Sequence, residues 1–258
     1  IHKYLEGPAM FSVRNSMVRI GLSTLFLVLG SGIVNAAEKS KSPAVVELFT
    51  SQGCYSCPPA EAYLGKLSKR SDVIALEFHV DYWDNLVYGS AGKWKDPFSS
   101  PKYTERQRQY NELIRRTRGV YTPQMVIGGM IETVGSSEYK IERAIKKVAK
   151  TGASPLSVRI EGKASGSLDI HIAGQNSDSA SVWLIRFYQS IETKVRSGEN
   201  KGKTLTSHNI VNGVKQIGEW RGAPLSLTVD GPGAGSKKSG RKAARVTSPR
   251  DHSGKPGS

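Results

Sequence analysis

The chain is 258 residues long, 38% hydrophobic and 23% charged, which excludes a disordered acidic chain and a polytopic membrane protein and suits one domain with a smaller companion. A net charge of +15 suggests at first a polyanionic partner, and two cysteines are too few for a disulfide framework or for four zinc ligands.

Residues 1–16 show no periodic pattern and read as an upstream extension ahead of Met17. Arg19, the apolar run 20–29 and the small residues up to Ala36 and Ala37 then read as a secretory signal peptide, with cleavage expected after Ala36. The run is too short to span a bilayer, which takes about 20 residues. The expected location is therefore secreted or periplasmic, with no transmembrane span once the signal is removed.

Residues 44–49 form a short Val-rich run, as in a strand buried on both faces. After Cys54 to Cys57 and two prolines, Ala60, Tyr63, Leu64 and Leu67 recur at helical spacing, with the prolines in a first turn that needs no N–H groups. Residues 73–80 read as a second buried strand. Residues 82–110 mix aromatics, Gly, Pro and charge and read as an insertion, helical from about 105 to 116. Residues 124–127 and 130–134, separated by Gly128-Gly129, predict a hairpin, and Ile141, Ala144, Ile145 and Val148 predict a closing helix.

Beyond residue 152 the period falls to two. Val158 and Ile160, then Leu168, Ile170 and Ile172, alternate with polar residues, and residues 182–188 and 225–229 are further strand candidates. Residues 154–230 therefore read as a β-rich extension. Residues 231–258 contain no Leu, Ile, Phe, Trp or Tyr and carry seven basic residues against Asp251 alone, so they read as a disordered basic tail. With that tail set aside the folded part is only moderately basic, and nucleic acid is not the expected partner.

Cys54 and Cys57 stand between a buried strand and a helix start, a pairing and context associated with thioredoxin-like redox sites. Amide dipoles at a helix N-terminus stabilise an anion, and the thiolate is the attacking species in disulfide exchange. Cys54 is thus the candidate nucleophile and Cys57 the resolving thiol. Other uses of the pair remain open. As a staple it would contribute only about 2 kcal/mol against about 3 for a fifteen-residue ring. As half a zinc site it lacks a second pair. It could also be an exchange motif no longer in use.

Thr122-Pro123 stands ahead of a strand, where thioredoxin-like folds place a cis-proline beside the dithiol; X-Pro is the bond for which cis is routine. Asp81, at the end of the second strand, is the candidate proton acceptor for Cys57, with capping or ion pairing as its plain alternative. Tyr55, Ser56, Thr122, Tyr82 and Trp83 are the candidate substrate contacts. Trp83 and Trp94 could instead simply cover the core, and His79, between Phe78 and Val80, reads as a satisfied core histidine. Glu47 reads as a buried carboxylate whose face the short strand does not decide.

The stretches 47–54 (ELFTSQGC), 56–60 (SCPPA), 78–84 (FHVDYWD), 94–98 (WKDPF) and 120–125 (VYTPQM), followed by 196–200 (RSGEN) and 208–211 (HNIV), closely resemble the secreted thioredoxin-like family catalogued as domain of unknown function 1223. The resemblance runs from about residue 43 to 229. It implies an α/β thioredoxin-like domain over residues 43–151, a C-terminal β-rich extension and an exported protein, and it implies no substrate.

The expected function is thiol/disulfide exchange on a protein or a small thiol, with no metal and no cofactor beyond the dithiol. The competing expectation is a non-catalytic binding protein on the same scaffold.

Overall fold

The structure, a computed structural model, describes residues 42–151, 156–174, 179–231 and 242–247. The expected signal peptide, its cleavage point and most of the basic tail lie outside these residues.

Strand β1 (Ala44–Thr50) leads into helix α1 (Pro58–Leu67) and strand β2 (Val73–His79), which pairs with β1 in parallel. The stretch after β2 holds one 3₁₀ turn and helix α2 (Pro101–Arg115). α2 starts four residues earlier than the charge pattern indicates. Pro101 occupies its first turn and Ser100 caps it by accepting the Lys102 N–H, so the proline opens the helix instead of preventing it. Strands β3 (Gln124–Ile127) and β4 (Ile131–Val134) form the hairpin, with β3 antiparallel to β1, and α3 (Glu138–Lys150) follows.

The alternation within β1 sorts the two layers. Val46 and Leu48 pack with Ala60, Leu64 and Leu67 of α1 and with Ile141, Ala144 and Ile145 of α3. Phe49 packs with Phe78, Val126 and Tyr103 of α2 on the other face. Each buried Leu of this kind stabilises the fold by roughly 1.5–3 kcal/mol of apolar burial.

Strands β5 (Ser157–Gly162), β6 (Leu168–Ala173) and β9 (Leu225–Val229) make a separate three-stranded sheet. The long strands β7 (Ala180–Lys194) and β8 (Thr204–Trp220) instead extend the first sheet, because β8 lies beside β2 in parallel through Glu77 and Ile210. The β-rich region is therefore split, and half of it belongs to the sheet that carries the cysteines. The sheet order, with β10 spanning Lys242–Thr247, is β10-β7-β8-β2-β1-β3-β4, a mixed α/β arrangement.

The last strand, β10 (Lys242–Thr247), pairs antiparallel with β7 inside the segment expected to be disordered. Edge pairing relies on main-chain hydrogen bonds, so a segment without large apolar residues can still join a sheet. Among the described residues no helix is long and apolar enough to cross a membrane.

Candidate functional site

At the end of β1 the chain turns sharply into α1. The Cys54 N–H donates to Ser51 O at 3.0 Å and the Cys57 N–H to Cys54 O at 3.2 Å. Cys57 is the N-cap of α1, and its carbonyl accepts the N–H groups of Ala60 and Glu61 at 2.9 and 3.2 Å. Cys54 and Cys57 are joined as a disulfide, with Cα atoms 5.4 Å apart. Both cysteines are 0% exposed, whereas Tyr55 between them is 66% exposed. Ser56 Oγ stands 3.4 Å from Cys54 Sγ.

Trp83 joins this loop to the proline loop. Its Cβ lies 3.2 Å from where a β-carbon on Gly53 would stand, and its indole N–H donates to Thr122 Oγ1 at 2.8 Å. The Thr122–Pro123 bond is cis. A β-carbon on Gly135 would meet both Ala60 Cβ and Pro123 Cβ at 3.1 Å, so the proline faces the first turn of α1 across that glycine. Gln107 of α2 supports the loop from beneath, donating to Tyr121 O at 2.7 Å and to Gln124 Oε1 at 2.9 Å.

Asp81 is held by α2, and the Tyr82 hydroxyl stands among Gln107, Thr122 and Trp83. Asp81 Oδ1 accepts the Thr104 hydroxyl at 2.5 Å, and the Asp81 N–H donates to Thr104 Oγ1 at 3.2 Å. The Tyr82 hydroxyl lies 3.5 Å from Gln107 Oε1, and burial pushes its pKa up to about 12. Glu47 faces α2, on the side of β1 away from α1. Arg106 holds it with two bonds of 2.7 and 2.8 Å, and the Tyr110 hydroxyl donates to it at 2.8 Å.

Glu61 lies one helical turn beyond Cys57, and its N–H donates to the Cys57 carbonyl. Its carboxyl group is buried, and Thr50 Oγ1 donates to it at 2.7 Å. Burial, with the field of Glu77 added, pushes its pKa up to about 8. Glu61 is therefore largely protonated at neutrality.

Glu77 continues the row. One of its oxygens lies 2.8 Å from His79 Nε2, the other accepts the His208 N–H at 2.7 Å, and Asp96 Oδ2 lies 2.7 Å from His79 Nδ1. Burial alone would push the His79 pKa down, but Asp96 and Glu77 outweigh it and hold it well above its ordinary value. His79 is thus a buried cation between two carboxylates, in keeping with a satisfied core histidine. Asp96 also accepts the Gln52 N–H at 2.8 Å, which ties this row to the cysteine loop. Among the described residues no cluster of His, Cys, Asp and Glu is arranged to hold a metal ion.

A strap closes the site from above. The connection between β7 and β8, residues 195–203, crosses the cysteine loop, and the buried Asn200 donates from Nδ2 to the carbonyls of Gln52 and Cys54, both at 2.9 Å. Glu199 Oε2 accepts the Tyr55 N–H at 2.9 Å. Lys203 Nζ lies 4.4 Å from the Tyr55 ring centre and donates to Asn200 Oδ1 at 2.8 Å. Gly198 passes against Trp94, whose indole N–H donates to Gln52 Oε1 at 3.2 Å, and Gln52 Nε2 is a buried donor with no partner among the described residues.

The structure therefore brings Cys54, Cys57, Tyr55, Ser56, Tyr82, Trp83, Thr122 and Pro123 into one neighbourhood and turns the polar atoms of Asp81 toward α2. Glu61, Glu199 and Asn200 had no role assigned from sequence. Glu61 was discoverable as an acid four residues after Cys57, on the side of the helix that packs inward. Asn200 and Glu199 lie in a stretch visible only through its likeness to relatives, since nothing local ties it to the cysteines.

A profile for the family described as "Protein of unknown function (DUF1223)" matches residues 45–247 of the chain. Among solved structures, the crystal structure of a protein from Agrobacterium tumefaciens is similar, with a TM-score of 0.64 and 28% sequence identity over 80% of this chain and 94% of that one. No curated protein matches.

Proposed function

The chain belongs to the family described as protein of unknown function (DUF1223), and we propose that it is an exported thioredoxin-like protein that carries out thiol/disulfide exchange through Cys54 and Cys57. The observation that carries this reading is the placement of the cysteine pair, joined as a disulfide, at the N-terminus of α1, where the positive end of the helix dipole favours a thiolate once the bond is reduced. The order β1-α1-β2, then β3-β4-α3, with the proline loop entering β3 beside α1, supports the thioredoxin-like assignment. The signal-like segment ahead of residue 37 supports export.

In the exchange, a thiolate on Cys54 attacks one sulfur of a substrate disulfide. A Cys54–substrate bond forms and the second substrate sulfur leaves as a thiolate that takes a proton. Cys57, after giving up its proton, attacks Cys54 Sγ, closes the Cys54–Cys57 disulfide and releases the first substrate sulfur. Two electrons and two protons pass to the substrate, and an external dithiol returns the pair to its reduced form; the reverse sequence oxidises a substrate dithiol. Glu61 follows Cys57 by one turn on the same helix and, in its ionised form, takes the Cys57 proton, whereas Asp81 is held by Thr104. Trp83, Thr122 and Pro123 form one wall of the substrate groove, and Tyr55 and Ser56 its exposed lip.

A Cys57→Ser variant is expected to accumulate mixed disulfides through Cys54 when incubated with a disulfide-bonded peptide, and Cys54→Ser is expected to accumulate none. Equal labelling of both variants, or of neither, rejects the exchange reading. The burial of both sulfurs favours a second reading, a binding protein with idle cysteines. That reading expects no trapped adduct even after reduction, and ligand binding that survives replacement of both cysteines but not of Trp83 or Trp94.

A further inference from the structure

The carboxylate of Glu199 sits on the amide where an exchange site ordinarily gathers positive potential. Its Oε2 accepts the Tyr55 N–H at 2.9 Å, and Tyr55 is the residue immediately after Cys54. In the disulfide form the charge faces a neutral sulfur and costs little. Once the bond is reduced, the same charge stands beside any thiolate on Cys54 and takes up a donor that would otherwise favour it.

We infer that Glu199 is a built-in charge that disfavours the Cys54 thiolate, so that the reduced pair is destabilised and acts as an electron donor toward substrate disulfides. This inference rests on the exchange reading and adds its direction. A dithiol whose reduced form is stabilised is a strong oxidant; one whose reduced form is destabilised gives its electrons away.

Other charges face the same loop and set the balance. From the strap, Lys203 stands over the Tyr55 ring and opposes Glu199, but its ammonium also donates to Asn200 Oδ1. From α1, Glu61 lies one turn past Cys57 and is largely neutral at pH 7, and the positive end of the helix dipole favours an anion. From the segment after β2, Asp96 holds the Gln52 N–H, and Tyr88 is near enough to Glu199 for that charge to push its phenol upward, after burial. Glu199 alone among them is bonded to the main chain adjoining Cys54.

The test is a titration of the single thiol of a Cys57→Ala protein, followed by ultraviolet thiolate absorbance across pH, with and without Glu199→Gln. Glutamine keeps an acceptor for the Tyr55 N–H and removes only the charge. We expect E199Q to lower the thiol midpoint by about one pH unit, and in the protein with both cysteines to move the equilibrium with a dithiol buffer several-fold toward the reduced form at about pH 9.

An unchanged or raised midpoint in E199Q overturns the inference. Glu199→Ala separates charge from packing: a midpoint that falls in E199A but not in E199Q assigns the effect to loss of the strap contact and also overturns it. The titration needs no substrate, so it reports on Glu199 even where no exchange partner reacts.

Discussion

The side-chain amide of Asn200 donates to the Cys54 carbonyl at 2.9 Å across 146 positions of sequence. The same nitrogen holds the Gln52 carbonyl, so one buried side chain fixes both ends of the turn that precedes the dithiol. Removing it leaves two buried acceptors without that donor. We expect Asn200→Ala to lower unfolding stability by roughly 2–4 kcal/mol in a urea titration. Because the strap also covers sulfurs that are 0% exposed, the variant is expected to be reduced by a small dithiol at least several-fold faster than the parent. A normal reduction rate in a measurably destabilised N200A protein means that something other than the strap shields the bond.

Gly135 lies between the proline loop and the cysteine helix. A methyl group there would stand 2.9 Å from Leu48 Cδ1 and 3.1 Å from both Ala60 Cβ and Pro123 Cβ. None of the three neighbours is the free end of a flexible side chain at the surface, so the backbone has to move. We expect Gly135→Ala to cost about 1–3 kcal/mol by overpacking, read by thermal unfolding, and to lower exchange activity beyond what partial unfolding accounts for. Full activity in a destabilised protein separates the glycine's packing role from the groove.

Much of the first half of the fold is legible in residue order because its signals are local. The apolar runs of β1 and β2, the helical spacing from Ala60 to Leu67 and the Gly128-Gly129 turn each lie within one element. Strand β8 is not legible in this way. Its pairing with β7 slips at Val182/Trp183 and at Arg186/Phe187, and each slip shifts the alternation by one. Ile210, Val214 and Ile217 are left at spacings of three and four, which do not read as a strand. The same holds for the site. Cys54, Cys57 and Pro123 declare themselves, whereas the contact of Asn200 exists only once β8 has joined β2.

The pair Glu47 and Arg106 has its carboxylate buried and its guanidinium mostly so, with Arg106 also lying over the rings of Phe78 and Tyr110. Taking away one partner strands a charge in the core, which is far more costly than replacing both. We expect Arg106→Met to destabilise the protein by about 3–5 kcal/mol, and the double variant with Glu47→Leu to recover most of that loss. The measurement is a double-variant cycle in urea, and equal losses in the single and double variants would show that Tyr110 alone suffices for Glu47.

Glu61 makes stability depend on pH in a defined window. Its folded pKa of about 8 stands above its ordinary value of 4.5, because burial first and the field of Glu77 second penalise the charged form. Between those two values the unfolded chain has released a proton that the folded chain keeps, so stability falls as pH rises. The contribution is fully present below about pH 4.5 and is lost through about pH 8. Glu61→Gln keeps an oxygen for the Thr50 hydroxyl and removes the titration. We therefore expect E61Q to match the parent near pH 4 and to exceed it by a few kcal/mol at about pH 8. Asp96 supplies an internal control. Burial alone would raise its pKa, but the charge and hydrogen bond of His79 hold it below its ordinary value, so its contribution is lost only as pH falls into the acid range. The acid limb of the stability profile should accordingly be the same in E61Q and the parent, while the neutral-to-alkaline limb flattens. A parallel offset of the two profiles at every pH would show that Glu61 acts by packing alone, and would remove it as the proposed proton carrier for Cys57.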